Sequence, residues 1–158
     1  MNSEQGQRSA VGKAADAGSP VIVVGMDGSP ASWDAFSWAA GEAVRAGASL
    51  IAVYVTPVVE SVAAVGANFD YAAAELARQE IAAELAGEAT QRARELGVPL
   101  RFVRELGDAA HVLTSVARSA GADLVVVGKS AKMWHHVAGS LGRRLVCHHD
   151  APVVVVVP

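Results

Sequence analysis

Residues 125–158 read VVVGKSAKMWHHVAGSLGRRLVCHHDAPVVVVVP, and this stretch decides the fold. A continuous apolar strand runs into a Gly128-Lys129-Ser130 turn. A loop, a Gly139-Ser140 pair, an amphipathic helix and a second all-valine strand follow. Strands that are apolar at every position need cover on both faces, which a parallel sheet wrapped by helices provides. Small residues and free amides at the end of the first strand point to an anion site.

Working outward from this stretch, the same alternation fills the chain. Pro20 opens strand one, Val21 to Met26. Asp27 to Pro30 form a turn, with Ser29 as N-cap and Pro30 at the first helical position. Helix one continues to Ala46 with Trp33, Phe36, Ala40 and Val44 on one side, and Gly47 ends it. Strand two is Ser49 to Val55. A loop over residues 56–70 leads to helix two, Tyr71 to Leu96, whose apolar stripe is Leu76, Ile81, Leu85 and Ala89. Strand three is Leu100 to Val103, followed by a turn from Glu105 to Asp108. Asp108 caps helix three, Ala109 to Ala120. Strand four is Asp123 to Val127, helix four runs from Gly139 or Ser140 to near His148, and strand five is Val153 to Val157. Right-handed crossovers turn this β-α alternation into an open parallel α/β sheet with two helices on each face. Ligands of such sheets bind beyond the carboxyl ends of the strands, where strand order reverses.

Composition narrows the function classes. The 158 residues suffice for one domain with a real core, and charged residues make up only 18%. The expected division is a flexible arm over 1–19 and one domain over 20–158. The net charge of -3 is dispersed, so neither nucleic acid nor a membrane surface is an expected partner. The opening MNSEQGQRSAVGKAADAGS lacks the apolar core of a secretory signal. The single Cys147 is read as a reduced thiol, and the expected compartment is the cytoplasm.

Several chemistries are excluded by spacing. Gly128-Lys129-Ser130 lacks the first glycine of a phosphate-binding P-loop, because Asp123 stands there and the strand itself fills the interval. His135-His136 and His148-His149-Asp150 are adjacent pairs, which do not share a helix face, so no metal site is expected. No Ser-His-Asp arrangement can be assembled. Glu75, Glu80, Glu84 and Glu88 read as a solvated face of helix two. Asp27 remains open between a ligand carboxylate and an Asx-turn. Gly128 and Gly139-Ser140 remain open between a phosphate cradle and an ordinary turn and cap.

Four segments together resemble the universal stress protein family: VIVVGMDGSPAS at Val21 to Ser32, GDAAHVL at Gly107 to Leu113, GADLVVVGKS at Gly121 to Ser130, and GSLGRRLVCHHDAPVVVVVP at Gly139 to Pro158. The resemblance implies a Rossmann-like five-stranded parallel sheet in order 3-2-1-4-5. It implies a homodimer made by pairing the last strands, Val153 to Val157, and leaves room for an unidentified protein partner. Family members divide into those that bind ATP, those that bind no nucleotide and a few that prefer cyclic AMP. In a nucleotide-binding member, Asp27 and Val55 would meet the adenosine, Val127 and Gly128 would floor the site, and Gly139, Ser140 and Leu141 would contact phosphates. The ATP-binding signature is Gly, two residues, Gly, nine residues, then Gly-Ser or Gly-Thr. Here the second glycine is Ala131, seven residues (Lys132 to Ala138) precede Gly139, and a small hydroxyl position is Gly142. A Cβ at Ala131 disfavours positive φ, whereas Lys129, Lys132 and His135 offer positive charge to phosphates. The expected function is an adenine-nucleotide-binding stress-response protein, with at most slow ATP hydrolysis. The alternative is a nucleotide-independent dimeric scaffold of the same fold.

Overall fold

The computed structural model describes residues 18–57, 70–129, 145 and 152–158. The elements are β1 (Val21–Met26), α1 (Pro30–Ala46), β2 (Ser49–Thr56), α2 (Tyr71–Glu95), β3 (Leu100–Leu106), α3 (Ala109–Ala120), β4 (Leu124–Gly128) and β5 (Val153–Val157). All strand pairings are parallel and the order is β3-β2-β1-β4-β5. The chain leaves β1 toward β2 on one side and returns to β4 on the other, so the switch point lies between β1 and β4.

Local signals set the helix ends. The Ser29 hydroxyl accepts from Ser32 N at 3.2 Å and the Asp108 carboxylate from His111 N at 3.1 Å, each satisfying an amide the helix leaves open. Gly47 (φ 63°) and Gly121 (φ 58°) end α1 and α3 in the left-handed region. Two apolar layers sandwich the sheet. On one face, Ile22, Val24, Met26, Leu50 and Ala52 pack against Phe36, Ala39 and Ala40 of α1 and Ala89 and Ala93 of α2. On the other, Val23, Val53, Val125 and Val127 pack against Leu113 and Ala117 of α3 and against the helical, fully buried Leu145. The remainder of the expected fourth helix and the expected flexible arm up to residue 17 lie outside the described residues.

Four sequence expectations need correction. Leu76 and Ile81 do not face the core: they are 60% and 46% exposed, and α2 buries Ala82, Leu85, Ala89 and Ala93 instead. Leu76 and Ile81 lie off the face of α2 that carries Ala82, Leu85, Ala89 and Ala93. In α1, Val44 is likewise exposed, while Phe36 and Ala40 are buried as expected. Strand β3 continues through Arg104 and Glu105 to Leu106, because β2 supplies a ladder partner for every residue from Leu100 to Leu106. Strand β4 starts at Leu124 and includes Gly128. Asp123 is a latch instead: its Oδ2 accepts from Val21 N at 3.0 Å and its N–H donates to Val21 O at 2.9 Å.

Candidate functional site

The register places the expected residues along one rim. Met26 pairs with Tyr54, so Asp27 and Val55 follow side by side at the carboxyl ends of β1 and β2. Val24 pairs with Val126, which brings Gly128 level with Met26. Asp27, Val55, Val127 and Gly128 therefore converge on the switch point. Lys129 is exposed just past it, its N–H donating to Val157 O at 2.8 Å and extending the β4–β5 ladder beyond Gly128. Ala131, Gly139, Ser140 and Leu141 lie outside the described residues.

Asp27 is exposed and locally oriented. Its Oδ1 accepts from Ser29 N at 2.9 Å, an Asx-turn that holds the carboxylate at the strand end. The Asx-turn and the ligand role are compatible, since an ionised carboxylate has acceptor capacity beyond one bond. The adjacent Gly28 adopts φ 79°, which a side chain resists, and a Cβ there would meet Leu85 of α2 at 3.4 Å.

The amino end of α1 is not a vacant anion cradle. Pro30 has no N–H, Ser32 N donates to both Ser29 Oγ and Ser29 O, and Trp33 N donates to Ser29 O at 3.1 Å. The Ser32 and Trp33 amides are thus already engaged within the turn. Gly128 has an additional reason to be glycine. A Cβ there would overlap the carbonyl of Ala31 and stand 2.9 Å from Ser32 N. The end of β4 thus rests directly on the first turn of α1. Val127 is buried among the α3-side apolar residues and Val55 is half-buried on that same face, so the rim has an apolar floor.

Polar side chains continue the rim over β2 and β3. Arg104 Nη2 donates to Glu75 Oε1 at 2.6 Å, tying the first turns of α2 to the sheet. This bond from Arg104, with a second from Gln79, holds the Glu75 carboxyl below the ordinary carboxylate range. Sequence reading missed Thr56, a buried threonine at the end of β2. Its hydroxyl among strand-forming apolar neighbours gives no signal distinct from ordinary β-propensity.

A groove of about 820 Å³ opens at the opposite end of the sheet, beside Val21, Ser49, Leu100 and the last turn of α2, with Arg94 and Arg101 in its lining. It lies at the amino ends of the strands, away from the switch point, and the rim described above is the better candidate on the geometry of open α/β sheets. Among the described residues no three His, Cys, Asp or Glu gather as a metal site, and no helix is long and apolar enough to cross a membrane.

The universal stress protein family model matches residues 19–157, and the chain belongs to that family. Solved structures agree in fold. A universal stress family protein from Burkholderia pseudomallei is 27% identical, with a TM-score of 0.72 over 89% of this chain and 96% of that one. A universal stress protein in complex with cAMP is 23% identical, with a TM-score of 0.66 over 88% and 97%. A family protein from Arabidopsis thaliana with AMP bound is 16% identical, with a TM-score of 0.64 over 88% and 92%. No curated protein matches the chain.

Proposed function

We propose that this protein binds an adenine nucleotide at the carboxyl ends of β1 and β4 and serves as a cytoplasmic stress-response regulator through that bound state. The observation that carries the reading is the family match over residues 19–157 together with Asp27 at the switch point, its carboxylate oriented by the Asx-turn. Asp27 accepts hydrogen bonds from the adenosine, Val55 lies beside it, and Val127 and Gly128 form the floor. Lys129 supplies charge to the phosphates, with Ala131, Gly139, Ser140 and Leu141 completing their contacts. The structures with cAMP and AMP bound support a purine nucleotide as the ligand class. ATP is included in the proposal, with the loop spacing as the point against it. Turnover above slow hydrolysis is not proposed, since phosphoryl transfer needs a positioned metal or water-orienting group.

Calorimetric titration of nucleotide-stripped protein with ATP, AMP and cAMP tests the site. Heat with at least one of the three, lost in Asp27→Ala, is the expected outcome. No heat at millimolar concentrations of any of them assigns the chain to the nucleotide-independent scaffold class.

We further propose that β5 pairs with the β5 of a second copy. The two sheet edges differ in character. The outer strand β3 exposes Arg101, Arg104 and Glu105, charges that discourage strand addition. The outer strand β5 is valine throughout, with Val153 and Val156 exposed. Two-fold pairing would close that edge.

A further inference from the structure

The groove of about 820 Å³ at the amino ends of the strands plays no part in the nucleotide reading, and its volume falls in the range of small-molecule sites. Its floor is apolar. Leu50, Ile51 and Val98 line it and are no more than 7% exposed. Arg94, in the last turn of α2, and Arg101, in β3, line it as well. Among the described residues no Asp or Glu does.

These two arginines differ from the other described arginines. Arg45 pairs with Glu42 and Arg78 with Glu75. Arg92 pairs with Glu88 and lies over the Trp33 ring, and Arg104 donates to Glu75. Arg118 is engaged too. Neither the Arg94 nor the Arg101 guanidinium has an ion pair or hydrogen bond among the described residues. The contrast holds within each element. Arg92 and Arg94 share the last turn of α2, Arg101 and Arg104 share β3, and in each pair the arginine on the groove is the unpaired one. A solvated guanidinium needs no partner, but these two border one apolar groove. Two carboxylates near this end of the sheet are engaged elsewhere: Glu95 accepts from Gln91 Nε2 at 2.7 Å and Asp123 from Val21 N at 3.0 Å. Helix carbonyls, which would repel an anion, are also taken. Arg94 O accepts from Gly97 N and Arg118 O from Gly121 N, each at 3.1 Å.

We propose that this groove binds a small organic anion with an apolar body, of the class of a medium-chain carboxylate. The apolar body covers the Leu50, Ile51 and Val98 floor, and the carboxylate accepts from the arginine rim, whose planar donor forks match it. A polyanion is disfavoured as the occupant, because the chain as a whole carries a net charge of -3. A monoanion needs only the groove. The site lies at the opposite end of the sheet from Asp27, so it is separate from the nucleotide reading and stands or falls independently of it.

The test is calorimetric titration of the full chain with hexanoate, octanoate and decanoate, with acetate and decanol as controls. Affinity should rise about fourfold for each methylene the floor covers. Acetate should give no heat, and decanol should bind at least about tenfold more weakly than decanoate, since it lacks the charge. Arg94→Gln and Arg101→Gln should each weaken decanoate about tenfold while melting within about 2 °C of wild type, because both side chains are exposed. Arg45→Gln, which removes an arginine of α1 away from the groove, should bind decanoate as wild type does. No heat with decanoate at millimolar concentration overturns the proposal. So does decanol binding as tightly as decanoate, or an Arg45→Gln loss equal to that of the groove variants, which would mean net charge and not the site. Unchanged decanoate affinity in both groove variants places any binding elsewhere and overturns it. A sedimentation mass altered by Arg94→Gln would assign the groove to a second copy of the chain and overturns it as well.

Discussion

Gly128→Ala should be among the most damaging single-methyl additions to this protein, and the reason is backbone contact. An added Cβ would overlap both the carbonyl oxygen and carbon of Ala31 and lie 2.9 Å from Ser32 N. Ordinary carbon contacts need about 3.5 Å or more. All three obstructing atoms are main chain, so no rotamer change relieves them. Relief requires the first turn of α1 to retreat from β4 by about 1 Å. That helix buries Ser32, Ala35, Phe36, Ala39, Ala40 and Ala43, so the displacement spreads through one whole layer of the core. Overpacking usually costs about 1–3 kcal/mol, and a rigid backbone obstacle places this substitution near 3 kcal/mol. For a domain of this size that is a fall in melting temperature of about 6–12 °C. Circular-dichroism melts without nucleotide measure it independently of ligand binding. Gly87→Ala is the matched control: a Cβ on that exposed position of α2 meets nothing within 4 Å. It should stabilise slightly, by about 0.5–1 kcal/mol, through helix propensity. A Gly128→Ala protein that melts within 2 °C or so of wild type would refute the packing of β4 against α1.

The Glu75–Arg104 bond should make the first turns of α2 acid-sensitive. The folded-state pKa of Glu75 is lowered, chiefly by the Arg104 bond, so its contribution is present above the unfolded carboxylate pKa and lost as pH falls through the folded value. Protection of the first turns of α2 from amide exchange, corrected for the intrinsic pH dependence of exchange, should therefore fall toward acid in wild type, and this fall should be missing in Glu75→Gln. The β5 edge predicts a sedimentation mass near twice 16.2 kDa at micromolar concentration, reduced to the monomer by Val156→Pro, which removes an N–H on the side away from β4; a monomeric wild type contradicts the pairing.

Much of this protein is determined locally and was legible in its residues. Ser29 followed by Pro30, Asp108 before an apolar-periodic run, and Gly47 and Gly121 after such runs each specify a backbone conformation within a few residues, and each helix boundary followed. The apolar runs pointed to a parallel sheet, and β4 is covered on both faces, whereas the edge strand β5 leaves Val153 and Val156 exposed. Asp27 was legible as a rim residue because the end of β1 is marked by the Gly-Ser-Pro turn. Of its two readings the structure shows the Asx-turn, and the ligand role stays a proposal that this turn does not oppose.

Tertiary structure alone decided the rest, and the reason is distance along the chain. Periodicity identified a stripe on α2 but not how much of it has a partner. The buried face is Ala82, Leu85, Ala89 and Ala93, and Leu76 and Ile81 lie off it although their neighbours Glu75 and Ala82 meet the sheet side. Glu105 and Leu106 read as part of a turn, and Arg104 as lying beyond the strand, until the ladder with β2 carried them as strand. Gly128 suggested close approach of a ligand, whereas the backbone that comes close in this structure is Ala31, 97 positions earlier. Thr56 carried no local signal at all. Its hydroxyl is enclosed without a partner among the described residues only because strands, helix and loop ends from separate parts of the sequence close around it, and burial of that kind is a property of the assembled fold.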